Sequence, residues 1–253
     1  MVIGVDIGNT TIEIGFIENL NSIKSFKLAT DLKRTRDDWL LTISSLLRME
    51  NIFKNDVRHI LISSVVPQIE NKIADVFKEI FEKKVLFLGK EVEIPIKNKY
   101  KRPEEVGVDR LLNAYSAIRK IKPPIVVVDL GTAITFDVIN DKGEYEGGLI
   151  FPGMESSIEC LFSKTAKLPK INMYEPDYIV GKTTEESINA GIYWGYASLI
   201  DGVIDRIEGF YKTAFKVVIT GGASEFISKG LREGYILNRK LTMEGFYYIS
   251  KTL

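Results

Sequence analysis

The chain contains very little of the two residue types that most often build metal centres and disulfides. Its 253 residues include one cysteine, Cys160, and one histidine, His59. A lone cysteine cannot form an internal disulfide, and it excludes a zinc site built from cysteines. A lone histidine excludes sites that require several histidines. This composition fits a reducing compartment, and we therefore expect a cytoplasmic protein.

Net charge and long apolar runs are also absent. The 34 basic residues balance 34 acidic ones, so the chain lacks the long-range positive field expected of a nucleic-acid-binding protein. No stretch approaches the roughly 18 apolar residues typical of a membrane helix, and Asp129 interrupts the run Ile125–Val128. No basic region precedes the apolar N-terminal residues, so no targeting signal is predicted. We expect neither a nucleic acid nor a membrane as a partner.

Two similar segments indicate a duplicated domain. In each, a run of β-branched residues leads into aspartate, an apolar residue and glycine, and a second β-rich run follows. Asp6 and Asp129 are 123 positions apart, as are Gly8 and Gly131, which is close to half the chain length. Each segment predicts a hairpin whose first strand ends at the aspartate. We place the domain boundary between residues 1–120 and 121–253, next to Pro123-Pro124.

The remaining periodicity predicts strands that alternate with helices. Apolar residues at helical spacing indicate helices over 36–50, 67–83, 105–121 and 185–210, with shorter helices after Pro152-Gly153 and Gly221-Gly222 and over 243–250. β-rich runs indicate strands over 22–30, 57–65, 84–88, 144–150, 216–220 and 235–238. Hairpin strands followed by this alternation predict an α/β fold with a mixed sheet and covering helices in each half.

The two Asp-x-Gly turns are the candidate sites of chemistry. A glycine after a strand lets backbone amides approach phosphate oxygens, and an aspartate at the strand end is a hard ligand for Mg²⁺. Two such turns facing each other across a cleft would hold a nucleoside triphosphate. By contrast, Gly181-Lys182-Thr183 is not the end of a P-loop, because Pro176 occupies the position of the required glycine.

Seven elements in register resemble the type III pantothenate kinase family of the acetate and sugar kinase/Hsp70/actin superfamily. The resemblance covers essentially the whole chain. The elements, in order, are Asp6-x-Gly8-Asn9-Thr10, Ser63-Ser64-Val65-Val66-Pro67, Gly107-Val108-Asp109-Arg110, Asp129-Leu130-Gly131-Thr132-Ala133, Gly147-Gly148-x-Ile150-x-Pro152-Gly153, Gly181-x-x-Thr184-x-Glu186-x-Ile188 and Thr220-Gly221-Gly222. The resemblance implies two actin-like (ribonuclease H-like) domains with an ATP cleft between them. It also implies ATP-dependent phosphorylation of pantothenate, the first step of coenzyme A biosynthesis.

The resemblance also implies a role for individual residues. Asp109 matches the general base, and Asp129 matches the ligand of a monovalent cation, K⁺ or NH₄⁺. Asp6 would hold the Mg²⁺ of ATP, directly or through water. The implied ATP contacts are Asp6, Ile7, Gly8, Asn9, Thr10, Thr11, Ile12, Glu13 and Thr132. The implied pantothenate contacts are Tyr100, Gly107, Val108, Asp109, Arg110 and Thr184.

The family resemblance further implies a homodimer in which Thr184 serves the pocket of the other subunit. Thr183 departs from the asparagine expected in many relatives. Three other functions stay open at this point: a non-catalytic nucleotide-binding regulator of the Bvg accessory factor type, a phosphohydrolase of the same superfamily, and a kinase for another hydroxylated acceptor. We interpret His59 and Cys160 as structural residues, the latter as a core thiol.

Overall fold

The computed structural model describes all residues from Met1 to Leu253. It contains ten strands and seven α-helices. The strands are β1 (Val2–Ile7), β2 (Thr11–Asn19), β3 (Ser22–Ala29), β4 (His59–Ser64), β5 (Val85–Phe87), β6 (Ile125–Leu130), β7 (Ala133–Ile139), β8 (Tyr145–Pro152), β9 (Lys216–Thr220) and β10 (Ile236–Leu237). The helices are α1 (Arg36–Met49), α2 (Pro67–Phe81), α3 (Val108–Ile118), α4 (Met154–Lys164), α5 (Thr184–Tyr211), α6 (Ser224–Ser228) and α7 (Leu241–Ser250).

The two sheets have the same topology, which confirms the predicted duplication at the level of fold. The strand orders are β3-β2-β1-β4-β5 and β8-β7-β6-β9-β10. In both, the first three strands form an antiparallel meander and the last two run parallel to the central strand. Asp6 lies opposite Ser63 at the end of β1, and Asp129 lies opposite Thr220 at the end of β6. The two aspartates therefore occupy equivalent positions in their sheets.

The chain divides into two compact units. The first comprises Met1–Ile96, Lys101–Arg119 and Lys240–Leu253, and the second comprises Lys97–Tyr100 and Lys120–Arg239. The predicted boundary after residue 120 lies one residue from the division between Arg119 and Lys120, but it assigns residues 97–100 and 240–253 to the other unit. The C-terminal helix α7 returns to the first sheet, where Phe246 packs so closely on Gly4 that a β-carbon there would lie 2.6 Å from its ring.

Apolar cores cover both faces of the first sheet. Trp39, Ile43 and Leu47 of α1 and the apolar stripe of α2 pack on one face, together with Ile3, Val5 and Ile7. The helices α3 and α7 cover the opposite face, which also carries Gly4 and Asp6 because successive strand residues alternate between faces. Asp6 and α3 therefore lie on the same side of this sheet.

One predicted helix boundary and one residue assignment need correction. The helix predicted over 105–121 is shorter, because Pro103–Glu105 forms a separate 3₁₀ turn and α3 starts after Gly107. Cys160 lies in a helix as predicted, but its assignment as a core thiol is wrong, since the residue is exposed. Its apolar neighbours Leu161 and Phe162 are themselves exposed. None of the helices combines the length and apolar character needed to cross a membrane.

The stability of the protein is expected to fall as the pH is lowered from about 7 to 5, because of His59. Its Nε2 atom is buried without a hydrogen-bond partner. Burial, followed by the charges of Arg58, Lys83 and the N-terminal amine, lowers the pKa of His59 below the ordinary value of 6.5. The unfolded chain therefore binds this proton more readily, and stability is lost as the pH falls through 6.5 toward the lower folded pKa.

Urea unfolding at several pH values measures this dependence. The His59→Gln variant should show a flatter pH dependence, since it removes the only imidazole of the chain. An unchanged slope in that variant would assign the acid sensitivity to other groups.

Candidate functional site

The first hairpin turn presents a short polar surface at the end of β1. The amide of Gly8 donates a hydrogen bond to the carbonyl of Thr11 at 3.0 Å, which closes the turn. Thr30, just after β3, braces it, since the Thr30 amide donates to the Thr10 carbonyl at 2.9 Å and the Thr30 hydroxyl to the Gly8 carbonyl at 2.7 Å. The turn is thus held through its own backbone groups, and the side chains of Asn9, Thr10 and Thr11 are exposed.

The eight residues predicted to contact ATP here differ in how exposed they are. The side chains of Asn9, Thr10 and Thr11 are exposed, so their polar atoms are accessible to a ligand. Ile7 and Ile12 are fully buried in the core, and only their backbone could reach a ligand. Asp6 and Glu13 face each other across the two strands and are half-buried. Glu13 also accepts a hydrogen bond from Ser25 at 2.6 Å.

Asp109 lies in the first turn of α3, on the same side of the first sheet as Asp6. Its Oδ1 accepts a hydrogen bond from the Arg110 amide at 2.9 Å. Burial raises the pKa of Asp109 above the ordinary value of 3.8, although this hydrogen bond and the charge of Arg110 oppose the shift. Gly107 leaves the space that the carboxylate occupies, because a β-carbon there would collide with Oδ1. A raised pKa brings a carboxylate closer to the value that suits a general base near neutral pH.

The second hairpin turn carries Asp129 and Thr132. The Gly131 amide donates to the Ala133 carbonyl at 3.1 Å, and the Thr132 carbonyl accepts from the Gly153 amide at 2.9 Å and from the Ser156 hydroxyl at 3.0 Å. The side chain of Thr132 is exposed and Asp129 is half-buried. The start of α4 therefore braces this turn.

The donor set decides which metal ions these turns fit. No group of three or more His, Cys, Asp or Glu side chains is arranged to hold a metal ion, so Asp6 and Asp129 each offer one carboxylate. Mg²⁺ is commonly held by one or two carboxylates together with waters and substrate phosphates. Asp6 beside a turn with exposed hydroxyl and amide side chains fits that pattern.

Thr184 is the first residue of α5, and its side chain is exposed. The preceding residue caps the helix: the Thr183 hydroxyl accepts from the Glu186 amide at 3.1 Å, and the Glu186 carboxylate accepts from the Thr183 amide at 3.2 Å. The same carboxylate accepts from the Lys182 amide at 2.6 Å. This reciprocal capping box fixes the backbone that carries Thr184.

Two substitutions of Thr183 test its role as the N-cap and compare it with the asparagine expected in many relatives. Thr183→Ala is expected to lower the free energy of unfolding by about 1 kcal/mol, because it removes the side-chain acceptor at the N-cap. Thr183→Asn is expected to stay within a few tenths of a kcal/mol of the parent, since asparagine is at least as good an N-cap residue. Chemical denaturation of both variants provides the measurement, and equal losses would contradict the capping role.

Tyr100 belongs to the second unit, together with Lys97, Asn98 and Lys99. In the basic segment 97–102 that contains Tyr100, three cationic side chains form surface ion pairs. Lys97 pairs with Glu144 at 2.6 Å, Lys99 with Glu146 at 2.8 Å, and Arg102 with Glu105 at 2.8 Å.

The predicted site residues are distributed over both units. The first unit contains residues 6–13 and 107–110, and the second contains Tyr100, Asp129, Thr132 and Thr184. Gly221 contacts Asp129, a role that sequence reasoning missed. It has a φ of +91°, and a β-carbon there would collide with Asp129 Oδ1 and lie 2.5 Å from the Leu130 amide nitrogen. The Thr220-Gly221-Gly222 motif was the only signal, and its contact with Asp129 depends on the pairing of β6 with β9.

Comparison with known proteins decides the family. Residues 2–206 match the family described as type III pantothenate kinase. The chain belongs to the type III pantothenate kinase family. Over 249 residues it is 52% identical to a Persephonella marina protein named type III pantothenate kinase, with 98% of both chains covered. A protein of the same name from a Sulfurihydrogenibium species is 47% identical over 251 residues, covering 99% of this chain and 100% of the relative.

Solved structures agree with this family at the level of fold. The activator of 2-hydroxyisocaproyl-CoA dehydratase from Clostridium difficile, solved with bound ADPNP, has a TM-score of 0.57 at 13% identity and covers 99% of this chain and 96% of its own. A Baf family protein from Campylobacter jejuni has a TM-score of 0.60 at 21% identity, covering 99% and 98% of the two chains. The actin-like α/β fold expected for this kinase family is thereby confirmed.

Proposed function

We propose that this protein transfers the γ-phosphoryl group of ATP to the 4′-hydroxyl of pantothenate, giving 4′-phosphopantothenate in the first step of coenzyme A biosynthesis. The observation that carries the proposal is the near-full-length similarity to two proteins named type III pantothenate kinase. The half-buried Asp109 in the first turn of α3 supports it, because phosphorylation of an alcohol requires a nearby proton acceptor.

Asp109 is the proposed general base. Its carboxylate accepts the proton of the acceptor hydroxyl as the oxygen attacks the γ-phosphorus. A positioned base contributes roughly 10²–10⁴-fold, or about 3–5.5 kcal/mol of barrier. Most of the acceleration must therefore come from positioning the two substrates and from neutralising phosphate charge.

The hairpin turns are the proposed phosphate-binding elements. Backbone amides and the polar side chains of Asn9, Thr10 and Thr11 bind phosphate oxygens, and Thr132 provides a further contact. Asp6 holds Mg²⁺, directly or through water. When bound, this ion neutralises charge on the phosphates. Asp129 is the proposed ligand of an activating monovalent cation, K⁺ or NH₄⁺, and the close approach of Gly221 fixes its position.

The acceptor is recognised by Tyr100, residues 107–110 and Thr184. Arg110 can bind the pantothenate carboxylate through two parallel hydrogen bonds, a geometry that lysine cannot provide. We further propose that the enzyme is a cytoplasmic homodimer in which Thr184 contributes to the pocket of the other subunit. The balanced charge supports small-molecule substrates rather than nucleic acid.

Release of ADP tests the proposal. Purified protein with Mg-ATP is assayed with and without pantothenate, first in potassium and then in sodium. Pantothenate-dependent release that is faster in potassium is the expected result. ADP release at the same rate with and without pantothenate would instead identify a phosphohydrolase. A folded, ATP-binding protein that releases no ADP would identify a non-catalytic regulator or a kinase for another acceptor.

A further inference from the structure

We infer that Gly147, Glu144 and Glu146 are positioning residues that hold Tyr100 in place for binding of the acceptor. The inference rests on the proposed function, because the contact between Tyr100 and pantothenate is part of that proposal. It gives a role to the Gly147-Gly148 motif, to which the sequence assigned none.

Residues 97–100 attach to the edge of β8 through an isolated β-bridge. The Tyr145 amide donates to the Lys97 carbonyl and the Lys99 amide donates to the Tyr145 carbonyl, both at 2.9 Å. Asn98 forms the corresponding parallel bridge with Tyr145. The Asn98 side chain then accepts from the Tyr100 amide at 2.9 Å. Two hydrogen bonds thus join the segment to Tyr145 of β8, and a third, within the segment, fixes the backbone of Tyr100 relative to Asn98.

A polar network reinforces this edge. Lys97 and Lys99 pair with Glu144 and Glu146, and Asn140 donates to both carboxylates, at 3.0 Å to Glu144 and 2.6 Å to Glu146. The hydrogen bond from Lys97 is the largest cause that lowers the pKa of Glu144 to about 2. An isolated surface ion pair contributes little, but a network with shared partners restricts each side chain further. Both carboxylates therefore stay ionised and paired near neutral pH.

A bulge in β8 brings the edge and the tyrosine ring together. Val138 pairs with Gly147 while Ile139 pairs with Tyr145, so Glu146 is the extra residue. Gly147 has a φ of +130°, and a β-carbon there would lie 3.3 Å and 3.4 Å from two ring carbons of Tyr100. The ring therefore rests against the bare backbone of Gly147. Bulges commonly redirect side chains beside functional sites, and this one places Glu146 within reach of Lys99.

Two independent sets of variants test the inference. Gly147→Ala should raise the KM for pantothenate roughly 10- to 100-fold, because small displacements of a binding group have effects of that order. The KM for ATP should change less than about 2-fold, because the substitution displaces a contact to pantothenate and not one to ATP. Gly143→Ala is the matched control: Gly143 also has a positive φ, +76°, but a β-carbon there would make only an ordinary contact with Pro123.

The double variant Glu144→Gln with Glu146→Gln removes the ion pairs without backbone strain. Like Gly147→Ala, it should raise the KM for pantothenate. It should also speed amide hydrogen exchange at Lys99 and Tyr145. In the parent enzyme, added salt should raise that KM more than in the double variant, since exposed ion pairs are screened. Unchanged exchange and unchanged KM in the double variant would overturn the inference, even if Gly147→Ala fails to fold.

Failure of the inference is distinguishable from failure of the proposed function. Tyr100→Ala should raise the KM for pantothenate, and Tyr100→Phe, which keeps the ring, should restore most of the affinity. If Tyr100→Ala raises the KM but the Gly147 and glutamate variants do not, the contact stands and the positioning role is wrong. If Tyr100→Ala has no effect, or if the parent shows no pantothenate-dependent ADP release, the inference falls together with the part of the proposal on which it rests.

Discussion

Replacing Asp109 with asparagine is expected to lower kcat by at least about 10²-fold while ATP binding stays within about 2-fold of the parent. Asparagine retains the shape and a carbonyl oxygen that can accept the Arg110 amide hydrogen bond, but it cannot accept a proton from the attacking hydroxyl. The loss should therefore appear in the chemical step. Steady-state kinetics together with calorimetric ATP binding separate the two effects.

The same substitution should leave the fold intact or stabilise it. The pKa of Asp109 is raised in the folded chain, chiefly by burial, so at neutral pH the ionised carboxylate is less favourable in the folded state than in the unfolded one. This unfavourable contribution appears as the pH rises above the ordinary value of 3.8 and is complete above the raised folded pKa. Asparagine does not ionise, and its free energy of unfolding at pH 7 should therefore not fall below that of the parent.

Glu105→Gln is the control for Asp109→Asn. Glu105 is an exposed carboxylate four positions earlier and pairs with Arg102, so its loss should leave kcat near that of the parent. Near-normal turnover in Asp109→Asn would remove that residue from the role of base. A fall of similar size in both variants would point to a general loss of charge near α3 instead.

Replacing Gly221 with alanine is expected to abolish activation by potassium and to destabilise the protein strongly. A non-glycine residue at positive φ costs on the order of 1–3 kcal/mol. At Gly221 the new methyl group would also collide with the Asp129 carboxylate and with the backbone of Leu130, which cannot move independently of the sheet. This overpacking adds about 1–3 kcal/mol. Asp129 must then shift away from the position proposed for the cation.

Gly234→Ala is the control that separates the collision with Asp129 from the cost of placing alanine at a positive φ. Gly234 has a φ of +95°, close to that of Gly221, but a β-carbon there would meet no atom within 4 Å. Urea unfolding should therefore show a larger loss of unfolding free energy in Gly221→Ala than in Gly234→Ala. Of these two variants, only Gly234→Ala should release ADP faster in potassium than in sodium. Equal stability losses and equal potassium responses in the two variants would contradict the packing of Gly221 against Asp129.

The hairpins could be predicted from the sequence because their signals are local. A β-branched run that ends in Asp-x-Gly indicates both the strand and its turn, and the recurrence at Asp6 and Asp129 indicates the duplication. The apolar residues Trp39, Leu40, Ile43, Leu46 and Leu47 likewise predicted a helix over 36–50, of which Trp39, Ile43 and Leu47 form the buried face. These features depend on neighbours within a few residues.

The features that could not be predicted depend on contacts between distant parts of the chain. The return of α7 to the first sheet depends on Phe246 packing against Gly4, and no local pattern encodes that pairing. The attachment of residues 97–100 to β8 involves Tyr145, Glu144 and Glu146, which lie more than forty positions away. The assignment of Cys160 as a core thiol was wrong because its apolar neighbours do not indicate which face of α4 is buried.

The fate of the γ-phosphoryl group tests the central claim most directly. Protein incubated with γ-labelled Mg-ATP and pantothenate should transfer the label to an organic phosphomonoester with the mass of phosphopantothenate, one for each ADP formed. The label should be retained in ATP when pantothenate is omitted. Label recovered as inorganic phosphate, at the same rate with and without pantothenate, would contradict the assignment as a pantothenate kinase.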